Sequence, residues 1–585
     1  MFKCFGKKEW TYFAVSILFI LAQVWLDLKL PDYMSEITKL VQTEGSAMSD
    51  IWQQGAMMIL CALGSLACAF VTGYCASFVG ASFARNLRGK VYHKIESFSM
   101  AEIKKFSIPS LVTRCTNDIR QVQMFVIMGI QMAVKAPFMA AIAITKIANK
   151  GAEFSIITVI GVSIVVITIA ILIVLVLPKF KIMQTLTDNL NRITRESLTG
   201  VRVVRAYNAE SYQEKKFAKA NNELTSTGMF AQRAMAVLSP TISAVMSGLS
   251  LAIYWVGAIL INEAELTSKI EIFSNTVVFS SYAIQVITAF MLMVVVFIMY
   301  PRASVSMKRI NEVLDTEASI KDGSIDHDVN DIKGKVEFKH VSFKYPDADD
   351  YVIKDITFTA EPGETVAFIG STGSGKSTVV NLIPRFYDST EGEVLVDDIN
   401  IKDMNLAYLH NKIGYISQKA FMFKGTVNKN VAFGDKNGQK PTKDEIKKAI
   451  KIAQGQSFVE DMPEQYKSEI AQGGTNISGG QKQRLSIARA IARSPEIYIF
   501  DDSFSALDYK TDKLLRQELN KSTKNATKLI VAQRIGTIKE ADKIVVLENG
   551  ECVGIGKHQD LLKKCKVYRE IAYSQLSAKE LGEEE

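Results

Sequence analysis

The stretch Gly370-Ser371-Thr372-Gly373-Ser374-Gly375-Lys376-Ser377-Thr378 carries the residue types and spacing that a phosphate group needs. It matches G-x-x-x-x-G-K-[ST], in which glycines let backbone N–H groups curl around phosphate oxygens. The helix that follows adds the positive end of its dipole. Lys376 would reach the terminal phosphates, and the Ser377 hydroxyl would sit on Mg²⁺. Spacing alone gives false positives, so the flanks matter. Here a strand-like run, Thr365–Ile369, precedes the loop, and a helix-like run, Thr378–Ile383, follows it. A nucleotide with Mg²⁺ is the expected ligand.

Further along come Asn476-Ile477-Ser478-Gly479-Gly480-Gln481-Lys482-Gln483-Arg484 and then Ile497-Tyr498-Ile499-Phe500-Asp501-Asp502-Ser503-Phe504-Ser505-Ala506-Leu507-Asp508. In this order, behind a phosphate loop, they resemble the ATPase domain of an ABC transporter. The Ser478–Gln481 signature is that family's most specific motif. The resemblance implies that Tyr345 stacks on adenine and that Gln418 touches Mg²⁺ together with Ser377 and Asp501. It implies that Ser505, Ala506, Leu507 and Asp508 form the turn called the D-loop. It also implies a head-to-tail ATPase dimer, in which Ser478, Gly479, Gly480 and Gln481 act on the ATP held by a partner.

Two positions depart from the family pattern. The glutamate that serves as base for the attacking water is Asp502 here, and the switch histidine is Gln533. One methylene less draws the carboxylate back, and general-base geometry tolerates little such error. Glutamine can hydrogen-bond a phosphate but can neither carry a proton nor shuttle one. Both changes together predict a site that binds ATP and hydrolyses it poorly. Gln472, where glutamate is common, and Ile477, where leucine is usual, are smaller departures.

Positioning these residues is the task of a chain of 585 residues, 48% of them hydrophobic. Apolar segments run near Phe13–Leu30, Ala56–Ala81, Ile127–Ile147, Phe154–Leu177, Ile242–Ile261 and Thr276–Tyr300. Crossing about 30 Å of hydrocarbon takes roughly 20 apolar residues, so six membrane spans are predicted. The first follows Lys3, Lys7 and Lys8, yet it is too long for a signal-peptide core and reads as a retained anchor. Basic residues crowd 83–126 and 178–235 and are sparse in the short connections near 31–55, 148–153 and 262–275. The positive-inside rule then places both long stretches, both termini and the ATPase in the cytoplasm, with the chain in the plasma membrane. The net charge of +8 is largely this bias and no nucleic-acid footprint.

The predicted architecture is an α-helical membrane domain (residues 1–310), a linker (311–335) and an α/β phosphate-loop ATPase with a helical subdomain (336–585). Leu111–Asp118 resembles the stretch after the family's first coupling helix, and Arg195–Glu210 the stretch leading into the second. The cysteines show no metal-site spacing, and Cys61, Cys68 and Cys75 share one helix face as packing residues. Asp27 and Lys29 would pair or snorkel, while Lys135 and Gln285 are candidates to line a pathway. Met291, Met293 and Met299 suit a permissive apolar pocket, and lipid-facing packing would give the same pattern.

With one membrane domain and one ATPase, the chain must pair. It resembles the degenerate-site subunit of bacterial heterodimeric multidrug exporters. That resemblance implies a second half-transporter as partner, contact with membrane lipid, and outward movement of amphipathic small molecules by alternating access. A homodimeric exporter with slow hydrolysis and an ATP-gated channel or regulatory membrane protein are the alternatives. Export and import share this layout.

Overall fold

The computed structural model describes residues 5–43, 45–148, 152–265, 268–329, 331–434 and 438–576. Lys3 and the centre of the 148–153 connection lie outside them. The chain forms two compact units, residues 1–95 with 109–316, and residues 96–108 with 317–585.

Among the described residues of the first unit, six helices are long and apolar enough to cross a membrane. They are span 1 (Lys7–Gln42), span 2 (Met48–Glu96), span 3 (Ile108–Ile147), span 4 (Glu153–Thr199), span 5 (Glu210–Glu263) and span 6 (Lys269–Asp315). Each runs past its apolar segment, because a helix satisfies its backbone internally wherever lipid ends. Span 1 therefore continues through Pro31, where the sequence suggested a connection, and span 6 reaches Asp315, inside the stretch expected as linker. Span 3 contains a π-helical turn at Arg114–Asp118. There Arg114 is buried and pairs with Glu312 of span 6 at 3.0 Å, and Asp118 accepts from Ser306 at 3.0 Å. Cys61, Cys68 and Cys75 are buried on span 2, consistent with one packed face.

The second unit is an α/β domain. A six-stranded sheet runs in the order Glu551–Gly556, Lys543–Glu548, Thr365–Gly370, Thr527–Val531, Ile497–Asp501 and Ile413–Ile416. Its pairings are parallel except for the hairpin at the first edge. A mainly antiparallel sheet, led by Val336–Phe343 and Ile353–Ala360, packs beside it. Phe358 joins the two sheets, stacking on Phe338 (4.7 Å between centroids) and meeting Phe368 edge-on (5.2 Å). A helical part includes Lys443–Ile452, which starts with a Thr442/Glu445 capping box, and Gly479–Ala492.

The short helix Met100–Phe106 belongs with this unit although it follows span 2 in the chain. Ser99 and Glu102 form its capping box, and Glu102 also accepts the Ser319 amide at 3.2 Å. Asp328, in the stretch before Val336, is held by Lys412, whose ammonium meets Asp328 (2.7 Å), Asp397 (2.9 Å) and Glu496 (2.9 Å).

Candidate functional site

Parallel strands deliver their carboxyl ends to one edge of the sheet, where open α/β folds bind ligands. Gly370 ends one strand and Asp501 another, with Thr527–Val531 between them in register. Val531 and the residues leading to Gln533 leave from the same edge, as does Ile416 before Gln418.

The phosphate loop turns on Gly375, whose φ of +94° a side chain would strain, and a Cβ there would lie 2.6 Å from Ile353. Ser371, Thr372 and Gly373 are exposed at the outer turn, while Ser374, Gly375 and Thr378 are buried beneath it. Lys376 folds back onto the loop, donating to the carbonyls of Gly370 (2.9 Å) and Ser371 (2.6 Å). Burial lowers its pKa from the ordinary lysine value, partly offset by Asp502 and Asp501.

Ser377 Oγ donates to Asp501 Oδ1 at 2.6 Å. Burial holds the Asp501 carboxyl above its usual range, and the neighbouring charge of Asp502 adds to this, while the Ser377 bond opposes it. A hydroxyl and a carboxylate converging here are the hard oxygen donors that Mg²⁺ takes, so the residues present fit that ion. A bound cation would offset the cost of the buried charge.

Asp502 is 7% exposed and sits in the left-handed backbone region at φ 47°. Its Oδ2 accepts from two exposed amides, Gln533 Nε2 at 2.8 Å and Gln418 Nε2 at 3.1 Å. The structure thus brings Gln418, Asp502 and Gln533 together, and joins Lys376, Ser377 and Asp501 beside them.

Tyr345 meets Phe343 and Tyr387 edge-on (5.0 and 5.2 Å), and its hydroxyl is 3.2 Å from Thr378 Oγ1. Sequence reasoning missed two neighbours. Tyr415 donates to Asn381 (2.8 Å) and reaches Asp501 Oδ2 at 3.4 Å. Its place in the strand before Gln418 was the available signal. Lys104 lies over the Tyr345 ring at 5.2 Å, which no local pattern announces.

The signature residues are satisfied by their own helix start. Ser478 Oγ accepts the Gln481 amide (3.3 Å), and the Gln481 side chain accepts the Ser478 N–H (2.9 Å). Ser478 and Gly479 are exposed at this helix N-terminus. Ser505 donates to the Asp502 carbonyl at 2.9 Å, Leu507 is buried, and Asp508 caps the next helix through Thr511.

In the first unit, Asp27 pairs with Lys135 of span 3 at 3.1 Å, whereas Lys29 lies 4.0 Å from Asp32. The sequence expectation that Asp27 and Lys29 go together is corrected by this: a helix places neighbours three or four apart on one face, not two.

Six apolar helices and an α/β domain with a phosphate loop define a membrane protein built around a nucleotide-binding ATPase. The family described as ABC transporter transmembrane region matches residues 13–290, and the ABC transporter family matches residues 353–505. An ABC transporter ATP-binding protein of Mycobacterium tuberculosis (strain H37Rv) is 37% identical over 563 residues, covering 94% of each chain. The ATP-dependent lipid A-core flippase of Syntrophus aciditrophicus (strain SB) is 30% identical over 523 residues, covering 88% of this chain and 84% of its own. The structure of a bacterial Atm1-family ABC exporter with ATP bound shares the fold, with a TM-score of 0.79 at 22% identity, covering 97% of this chain and 98% of the other. The chain belongs to the ABC transporter family, with an exporter-type membrane domain fused to its ATPase domain. It is a multi-pass membrane protein, and membership implies ATP hydrolysis coupled to transport and work as a dimer.

Proposed function

We propose that this chain is one half of a heterodimeric exporter in the plasma membrane, moving amphipathic compounds outward, with its own ATP site binding MgATP and hydrolysing it slowly. The observation that carries the reading is the pair of glutamine amides on Asp502 Oδ2. A general base must offer a free lone pair to water, within hydrogen-bond reach. Asp502 is short by one methylene, and one of its two carboxylate oxygens, Oδ2, already accepts from Gln418 and Gln533. Gln533 cannot take up the proton either.

ATP would lie over the loop Gly370–Thr378, with adenine on Tyr345 and phosphates on Lys376. Ser377, Asp501 and Gln418 would hold Mg²⁺, which supplies charge neutralisation at the phosphates. The exposed Ser478–Gly479 helix start would present its amides and hydroxyl to the γ-phosphate bound by a partner half-transporter, whose site is the competent one. The D-loop residues Ser505–Asp508 lie beside that surface. Closing the ATPase dimer on ATP would favour the outward-open membrane cavity, a population shift driven by differential affinity. A relative named for a lipid substrate supports amphipathic cargo. Both termini and the basic stretches would face the cytoplasm.

The chain purified alone is expected to retain labelled nucleotide with Mg²⁺ and to turn it over slowly. Robust hydrolysis by the lone chain, with no partner present, refutes the degenerate site.

A further inference from the structure

Pro31 lies inside span 1, and proline has no N–H to give the carbonyl four residues before it, that of Asp27. The freed carbonyl accepts from Gln285 Nε2 of span 6 at 3.4 Å. The Asp27 carboxylate meanwhile accepts from Ser65 of span 2, a short contact, and from Lys135 of span 3 at 3.1 Å. Four spans thus converge on one polar point inside the apolar region.

Two observations mark it as more than a tie between helices. The Lys135 and Asp27 side chains keep 21% and 25% of their surface exposed. Ionised groups at membrane depth face a bundle interior or a wet cavity, because lipid contact is costly. The hydrogen bond from Nε2 to the Asp27 carbonyl also fixes the Gln285 head group and leaves its Oε1 buried, without a hydrogen-bond partner among the described residues. A buried acceptor left unmet is unfavourable, so the site calls for a donor. Asp27 offsets the charge of Lys135, so that donor need carry no charge.

We infer that the Asp27–Lys135–Gln285 cluster is a ligand subsite that takes an N–H donor, such as an amide, carried on an apolar body. This deepens the proposed export of amphipathic compounds and rests on that reading for its role in transport.

The test uses the full chain in lipid nanodiscs, with empty nanodiscs measuring partition into lipid. Two labelled probes of equal charge are compared by equilibrium dialysis: N-methyldodecanamide, with one N–H, and N,N-dimethyldodecanamide, with none. The expected result is about five-fold tighter binding of the first, the worth of one hydrogen bond. Gln285→Met, which deletes the acceptor, removes that preference. Pro31→Ala restores the helical N–H to Asp27, frees the Gln285 head group, and reduces the preference without endangering the helix. Equal binding of both probes by the native chain overturns the subsite while leaving amphiphile export standing. A preference that survives both substitutions also overturns it, since the donor then goes elsewhere. Binding of neither probe above empty nanodiscs overturns subsite and cargo class together and leaves water as the partner of Gln285.

Discussion

In the proposed heterodimer each ATP site would be shared between two chains, which makes substitutions asymmetric, and the geometry around Asp502 and Ser478 sets the size of the asymmetry. Both glutamine amides bond the same Asp502 oxygen, at 2.8 and 3.1 Å. Asp502→Asn still presents one carbonyl oxygen there, so the network survives and only a charge is lost from a group already screened from water. Steady-state ATPase of the assembled transporter should fall by no more than about three-fold, a fraction of one hydrogen bond. Ser478→Arg acts on the other site. It removes the Oγ that accepts the Gln481 amide, a cap worth about 1 kcal/mol, which an exposed helix start survives without unfolding the domain. It also sets a bulky side chain where the partner's γ-phosphate would be held. Losing a donor that meets developing charge costs about 100- to 1,000-fold in turnover. Both variants are measured with native partner, alongside melting curves that confirm folding. If Asp502→Asn is as damaging as Ser478→Arg, Asp502 is a working base and the degenerate-site reasoning fails.

Lys412→Met withdraws one ammonium from three carboxylates, of which Asp397 is 2% exposed, and should destabilise the ATPase domain by about 3–5 kcal/mol. Loss of MgATP retention at a markedly lower temperature than native checks this. Burial lowers the Lys376 pKa, so its ammonium is lost on the alkaline side before the ordinary lysine value of about 10.4. Affinity for a fluorescent ATP analogue should therefore begin to weaken below that pH, and Lys376→Arg should flatten the dependence, since guanidinium stays charged.

How much of this was legible depended on whether the physics is local. The phosphate loop follows from glycine spacing and a strand-to-helix switch, whereas the signature is recognised only by family resemblance; its local physics is a capping box of the Ser-x-x-Gln kind. The structure shows that box at Ser478 and Gln481. The strand expected at Ile497–Phe500 forms as Ile497–Asp501, because apolar β-branched residues fully buried in a parallel sheet have few other places to go. The helix Met100–Phe106 falls just before Leu111–Asp118, where the family resemblance implies a coupling helix, but no local pattern specifies it. Seven residues hold no fold of their own, and its place with the second unit depends on Ser319, far along the chain. Asp27 was misread for the same reason. Sequence offers Lys29 as its near neighbour, but the cation it meets stands on another span, and only the fold brings Lys135 there. The first apolar segment in the sequence ends at Leu30, and a proline at 31 ordinarily interrupts a helix. Inside a bundle a neighbouring helix can satisfy the carbonyl that proline frees, and Gln285 does so. A residue that reads as a stop in isolation thus becomes the reason a polar group on span 6 is held in place.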